Sequence, residues 1–153
     1  MEVLVQQSLP FFKCRYDTLV KPPNPVLDYN TRFSGIDESM LKDTKISMKE
    51  VHLKILANLR PNSIIVGHSL ENDLIALKLI HGCVVDTSLV FPHKRGPPFK
   101  RALRNLSAEC LGKIIQTGEG GHDSAEDARA ALDLMLWKVK NDGGKATSRK
   151  TVS

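Results

Sequence analysis

Two short apolar runs constrain this chain more than any other feature. "SIIVGH" (63–68) and "CVVDTS" (83–88) are continuous in apolar residues and bounded by polar ones. A strand with one wet face alternates, whereas a strand covered on both faces does not. Each run therefore reads as a strand of a sheet with helices on both sides. Between them "LENDLIALKLI" (70–80) reads as a helix with Ser69 as its cap. "SMKEVHLKILANL" (47–59) is a second helix. Ser47 and Glu50 have capping-box spacing there, and Met48, Val51, Ile55 and Leu59 form its apolar stripe. "KRALRNLSAECLGKII" (100–115) is a third, with Leu103, Leu106, Cys110 and Ile114 along one side. A fourth runs from about Ser124 to Asn141, where Gly143 and Gly144 stop it. "YDTLV" (16–20) alternates and reads as a strand that "KPPNP" (21–25) ends. Strands alternating with helices give an α/β domain with a mixed, partly parallel sheet. Residues 1–15 form an atypical leading segment, 16–142 the domain, and 143–153 a disordered polar tail.

The chain's 153 residues suit a single domain. No apolar run is long enough to cross a membrane. The first residues lack the basic start, apolar centre and small-residue cleavage site of a signal peptide. Cys14, Cys83 and Cys110 are odd in number and widely spaced. That pattern opposes a disulfide framework or a paired-cysteine zinc site and favours a reducing, intracellular compartment. The net charge of +5 favours an anionic partner.

Two acids are out of place for a purely structural helix pattern. Residues four and seven apart share a helix face. Asp73 thus lines up with Leu77 and Ile80, in the middle of an apolar stripe. Asp127 lines up with Ala131 and Leu134, at the edge of another, while Glu126 and Asp133 point to solvent. A carboxylate in such a place is desolvated unless something compensates. Bland alternatives exist for both: an acid in a first turn favours the helix dipole, and Asp127 can close a capping pair with Ser124. Asp86 reads as the cap of the turn after its strand, and His68 as a hydrogen-bonded strand end. His52, His81 and His93 carry no readable signal. "HD" at 122–123 lacks the further histidines of a metal phosphohydrolase.

Taken together and in order, "VGHSLENDLIALKLI", "VVDTS" and "GGHDSAEDARAALDLM" resemble the DEDDh 3′–5′ exonucleases of the ribonuclease H-like fold. Within them the chain is similar to the eukaryotic RNA exonuclease group, which "YDTLVKP", "DYNTRFSGI" and "LRNL" also fit. The resemblance implies two divalent metals, Mg²⁺ or Mn²⁺, held by four acids. Such a pair, ~3.5–4 Å apart, clamps the attacking and leaving oxygens of phosphodiester cleavage. It implies that Asp73 and Asp127 are the third and fourth acids. It implies that His122, five residues before Asp127, is the general base, which a neutral imidazole can be. It implies single-stranded RNA 3′ ends as partner and a nuclear location. In "TRFSGI" (31–36), Phe33, Ser34 and Gly35 match the loop against the terminal nucleotide; equally, Phe33 and Ile36 could enter the core. "HKRGPPFKRALR" (93–104) brings Lys94, Arg95, Lys100, Arg101 and Arg104 together, either as a solvated face or as contacts to phosphates.

The family's first motif, an Asp-x-Glu on the strand that would pair with "SIIVGH", does not occur before Tyr16. The expectation is therefore an N-terminally truncated domain with impaired two-metal hydrolysis. The alternative is a catalytically silent RNA-binding or regulatory relative.

Overall fold

The computed structural model describes residues 5–7, 13–117 and 123–146, with side chains at 16–117 and 123–142. Strands β1 (Val5–Gln7) and β2 (Lys13–Tyr16) form an antiparallel hairpin. The strand expected at 16–20 thus lies upstream, and residues 17–20 lead out of it. The segment "EVLVQ" supplies β1 to this hairpin and does not pair with the strand at 65–67. Two short helices follow, α1 (Thr31–Ser34) and α2 (Glu38–Lys42). Then comes α3 (Met48–Asn58).

Helix α3 begins where its capping box places it. The Ser47 hydroxyl accepts from Glu50 N–H at 3.4 Å, and the Glu50 carboxylate accepts from Ser47 N–H at 2.7 Å. Two otherwise unpaired backbone donors are satisfied reciprocally. Val51 and Ile55 are buried with Val20, and Met48, Leu59, Leu77 and Leu79 pack around them. The expected stripe is the face that α3 buries.

Strand β3 (Ile65–Gly67) pairs in parallel with β4 (Val84–Asp86), in the register Ile65 to Val84 and Gly67 to Asp86. Among the described residues β4 is the only strand hydrogen-bonded to β3. Ile65 and Val66 are half-buried and Ile64 is 66% exposed, so this strand is less covered than its unbroken apolar run predicts.

Helix α4 (Leu70–Ala76) follows β3 and is shorter than the apolar pattern suggests. It ends at Leu77, and Lys78 takes a positive φ of 49°. Ile80 is therefore outside the helix and 99% exposed. After β4 come α5 (Thr87–Val90) and α6 (Leu103–Leu106). A π-helical turn, Ser107–Leu111, continues α6. The wider turn adds a residue to the register. In place of the expected Ile114, which is 70% exposed, Ile115 enters the core. The Ser107 hydroxyl donates to the Lys113 carbonyl at 2.9 Å and steadies the exit from the turn.

Helix α7 (Ser124–Ala146) packs on β3, α5, α6 and the π turn. Ala130, Ala131 and Leu134 join Phe91, Leu103, Leu106 and Ile115 in the larger core. Gly143 and Gly144 do not stop it. Glycine lowers helix propensity by ~1 kcal/mol but forbids nothing, and an established helix propagates. Of the tail expected at 143–153, residues 147–153 lie outside the described part.

Asp86 joins the pieces. It is 8% exposed, and one carboxylate oxygen accepts from Ser69 N–H at 2.9 Å and Ser88 N–H at 2.8 Å. The other accepts from Leu70 N–H at 3.0 Å. It thus caps α5, as expected, and also the start of α4. Ser69, the expected cap, takes a left-handed φ of 57° and makes no side-chain cap bond. Desolvation pushes the Asp86 carboxyl upward, but the nearby Ser88 hydroxyl and the three N–H groups hold it below the ordinary range. A depressed pKa adds stability above the unfolded value of ~3.9, lost as pH falls through the folded one. Asp86→Asn should therefore lower unfolding free energy by ~2–4 kcal/mol at pH 7, in line with bonds to a charged group. In urea titrations the gap between variant and wild type should close below about pH 4. An equal gap at pH 7 and pH 3 would show that ionisation of Asp86 is not the source.

Candidate active site

The candidate site is built at the C-terminal ends of β3 and β4, where open α/β sheets place ligands. A sharp turn joins β3 to α4. A Cβ on Gly67 would stand 2.7 Å from Leu70 Cγ, and Leu70 is buried, so this close approach requires glycine. The Thr87 hydroxyl donates to the Gly67 carbonyl at 3.0 Å and lies 2.8 Å from His68 Nδ1. His68 is the bonded strand end expected of it. Desolvation lowers its pKa most, while the charges of Asp86 and Asp127 and the Arg101 backbone raise it. Its electrostatic neighbours therefore come from β4, α7 and the segment before α6.

Asp73 leaves the first turn of α4 on the exposed side, not in the core. The expectation of a core carboxylate assumed a helix reaching Ile80, and α4 stops at Ala76. Its surroundings still remove part of its hydration: desolvation raises its pKa, and the like charges of Glu71 and Asp86 add to this. Asp127 is half-buried in the first turn of α7. Gln116 donates from Nε2 to Asp127 Oδ1 at 2.8 Å and from its backbone N–H to Glu126 Oε2 at 2.8 Å. Glu126 is thus a bonded partner and not a solvated side chain. Asp133, also expected in solvent, is half-buried and bonded to Lys113 Nζ at 2.7 Å. Asp123, not Ser124, caps α7, accepting from Ala125 N–H at 2.8 Å and Glu126 N–H at 3.2 Å. His122 lies outside the described residues.

The basic residues divide in two. Lys100 pairs with Glu71 and donates to Ser69 Oγ at 3.4 Å, and Arg101 pairs with Glu109. Both stand beside the strand ends. Lys94, Arg95 and Arg104 are exposed, and among the described residues neither Lys94 nor Arg104 has an ion-pair partner. Around α1 the two alternatives separate: Phe33 is 57% exposed and Ile36 is buried. Arg32 lies 5.6 Å from the centre of the Phe33 ring. Ser34 Oγ donates to Tyr29 O at 2.8 Å and accepts from Ile36 N–H at 3.0 Å, and Gly35 has a φ of 70°.

The structure thus gathers Asp73, Asp127, Lys100 and Arg101 around His68 and Asp86. Sequence reasoning missed Gln116 and the second role of Asp86. No local signal announces either, since each acts on a distant segment. Among the described residues no group of three or more His, Cys, Asp or Glu side chains could hold a metal ion. The carboxylate of Asp86 is committed to backbone donors, and Asp127 to Gln116. The described donors alone do not fit the expected Mg²⁺ or Mn²⁺ pair.

Residues 11–135 match the model of the exonuclease family. The chain belongs to that family. This exonuclease chain is 53% identical over 127 residues to the RNA exonuclease 1 homolog of Homo sapiens, covering 83% of itself and 10% of that relative. It is 48% identical over 127 residues to RNA exonuclease 1 of Saccharomyces cerevisiae, covering 82% of itself and 23% of that relative. Among solved structures it is similar to the Pan2 catalytic unit of Neurospora crassa, with a TM-score of 0.70 and 27% identity. That likeness covers 88% of this chain and 23% of the other. A Saccharomyces cerevisiae Pan2 module in complex with AAGGAA RNA is also similar, with a TM-score of 0.71 and 31% identity over 90% of this chain and 23% of that one. The fold is the expected ribonuclease H-like α/β architecture. Among the described residues no helix is long and apolar enough to cross a membrane.

The raised pKa of Asp73 has a definite sign. Stability is fully present below the unfolded value of ~3.9 and is lost as pH rises through the higher folded value. Asp73→Asn should thus stabilise the protein at pH 7, by roughly a few tenths of a kcal/mol because solvent screens the exposed group. The gain should vanish near pH 3. Thermal melts at the two pH values measure it, and a destabilised variant at pH 7 would reverse the assignment.

Proposed function

We propose that this chain is the core of a 3′–5′ exonuclease domain that hydrolyses single-stranded RNA from its 3′ end in nuclear RNA processing. One observation carries the reading: the first turns of α4 and α7 bring Asp73 and Asp127 to the charged environment of His68 and Asp86. In this reading His122 takes the proton of the attacking water. Phe33, Ser34 and Gly35 meet the terminal nucleotide. Lys94, Arg95 and Arg104 meet phosphates directly. Lys100 and Arg101 exchange Glu71 and Glu109 for phosphate oxygens.

The reading assigns Mg²⁺ or Mn²⁺ to the complete family site. Asp73 and Asp127 are two of its four acids, and the described residues add no third donor to them. That count favours a second reading for a polypeptide of these 153 residues alone, as an RNA-binding module with little catalysis.

The two readings separate in one experiment. A 5′-labelled single-stranded RNA is incubated with the 153-residue chain, with a form carrying an Asp-x-Glu strand ahead of Tyr16, and with His122→Ala of each. The extended form should shorten the RNA from its 3′ end, and His122→Ala should abolish this. The 153-residue chain should be at least ~10²-fold slower, the usual loss for one group that stabilises transition-state charge. If it matches the extended form and His122→Ala silences both, its site is complete and Glu2 becomes the residue to test. If no form cleaves but all bind RNA, the silent reading stands.

A further inference from the structure

The loop between α5 and α6 holds side chains that the proposed chemistry does not use. The rings of His93 and Phe99 lie 5.7 Å apart, tilted by 35°. The Arg95 guanidinium stands 5.0 Å from the centre of the Phe99 ring. Two consecutive turns shape the loop: Gly96 N–H donates to His93 O at 2.9 Å, and Phe99 N–H to Gly96 O at 3.1 Å. Arg95 N–H donates to His93 Nδ1 at 3.1 Å.

Phe99 is 49% exposed, while its neighbours in sequence Phe91 and Leu103 are buried at 8% and 5%. An aromatic ring normally gains by joining such a core. Here backbone bonds within the loop keep it out. The next residue, Lys100, ties the loop to Ser69 and Glu71, and so to the helix that carries Asp73. Lys94 and Arg95 point their charge to solvent beside the ring.

We propose that His93, Arg95 and Phe99 form a stacking platform for one unpaired base of the RNA, with Lys94 meeting an adjoining phosphate. This deepens the RNA reading above and rests on it. Two rings and a planar guanidinium offer faces to any base, and cations beside them suit the charged backbone. An apolar protein partner would meet a contiguous apolar patch, and these flanks are basic.

The test measures anisotropy of a labelled single-stranded oligoribonucleotide bound to the full chain in EDTA, so that no cleavage intervenes. Phe99→Leu keeps an apolar side chain but removes the ring, and should weaken binding about tenfold, or ~1.4 kcal/mol. Phe99→Trp should restore wild-type affinity. Abasic substitution scanned along the RNA should find one position that weakens binding to wild type and not to Phe99→Leu. Circular dichroism establishes that both variants fold. If wild type binds but neither Phe99→Leu nor any abasic site changes affinity, the platform is overturned and the RNA reading survives. If wild type binds no RNA, both fall.

Discussion

A buried carboxylate at the end of β4 holds this structure together. Parallel strands cannot be joined by a tight turn, so a crossover must bring the chain from β3 to β4. Here α4 and the segment after it form that crossover, and Asp86 returns to seize the helix at its beginning. Three N–H groups from two helix starts converge on one side chain. Their partial positive charge offsets the loss of water around the carboxylate. Strand pairing, the helix entry after Gly67 and the entry to α5 are then mutually dependent.

What could be read in advance was local. Ser47 and Glu50 are three residues apart, and their bonds need only that spacing. The α3 stripe likewise follows from helical period. The apolar runs around β3 and β4 announce strands because nothing else suits short β-branched segments of that length. What could not be read was long-range. Asp86 bonds residues 16 and 17 positions away. That partnership displaces Ser69 from the capping role its identity suggested. Asp73 was placed by a helix assumed to continue to Ile80; once Lys78 turns the chain, the shared face no longer exists. Asp73 and Asp127 stood out because acids interrupted apolar patterns. Gln116 interrupts nothing, so its hold on the first turn of α7 had no trace in sequence.

The electrostatics of the site follow from this framework. Asp73 is disfavoured as an anion by Glu71 and Asp86, and Asp127 contributes negative charge to the same neighbourhood through His68. A site of this kind holds unfavourable charge in the folded protein, and a cationic ligand would relieve it. Lys100 and Arg101 already do so in part, from the basic segment that borders the site. Acids at the centre and cations around them match the needs of a reaction on a polyanion, where the chain is gripped at its edges and cleaved in the middle.

The π turn at Ser107–Leu111 acts as a gauge of chain length. It accommodates one residue more than an α-helical turn of the same rise. Loss of a single residue there would let α6 run on as an ordinary helix and rotate everything after it by about 100°. Ile115 would leave the core, and Gln116 would swing away from Glu126 and Asp127. Side-chain identity in this segment is therefore less constrained than its residue count: substitutions at the exposed Ala108 and Glu109 leave the spacing intact, whereas a one-codon deletion uncouples α7 from the loop that steadies its acids.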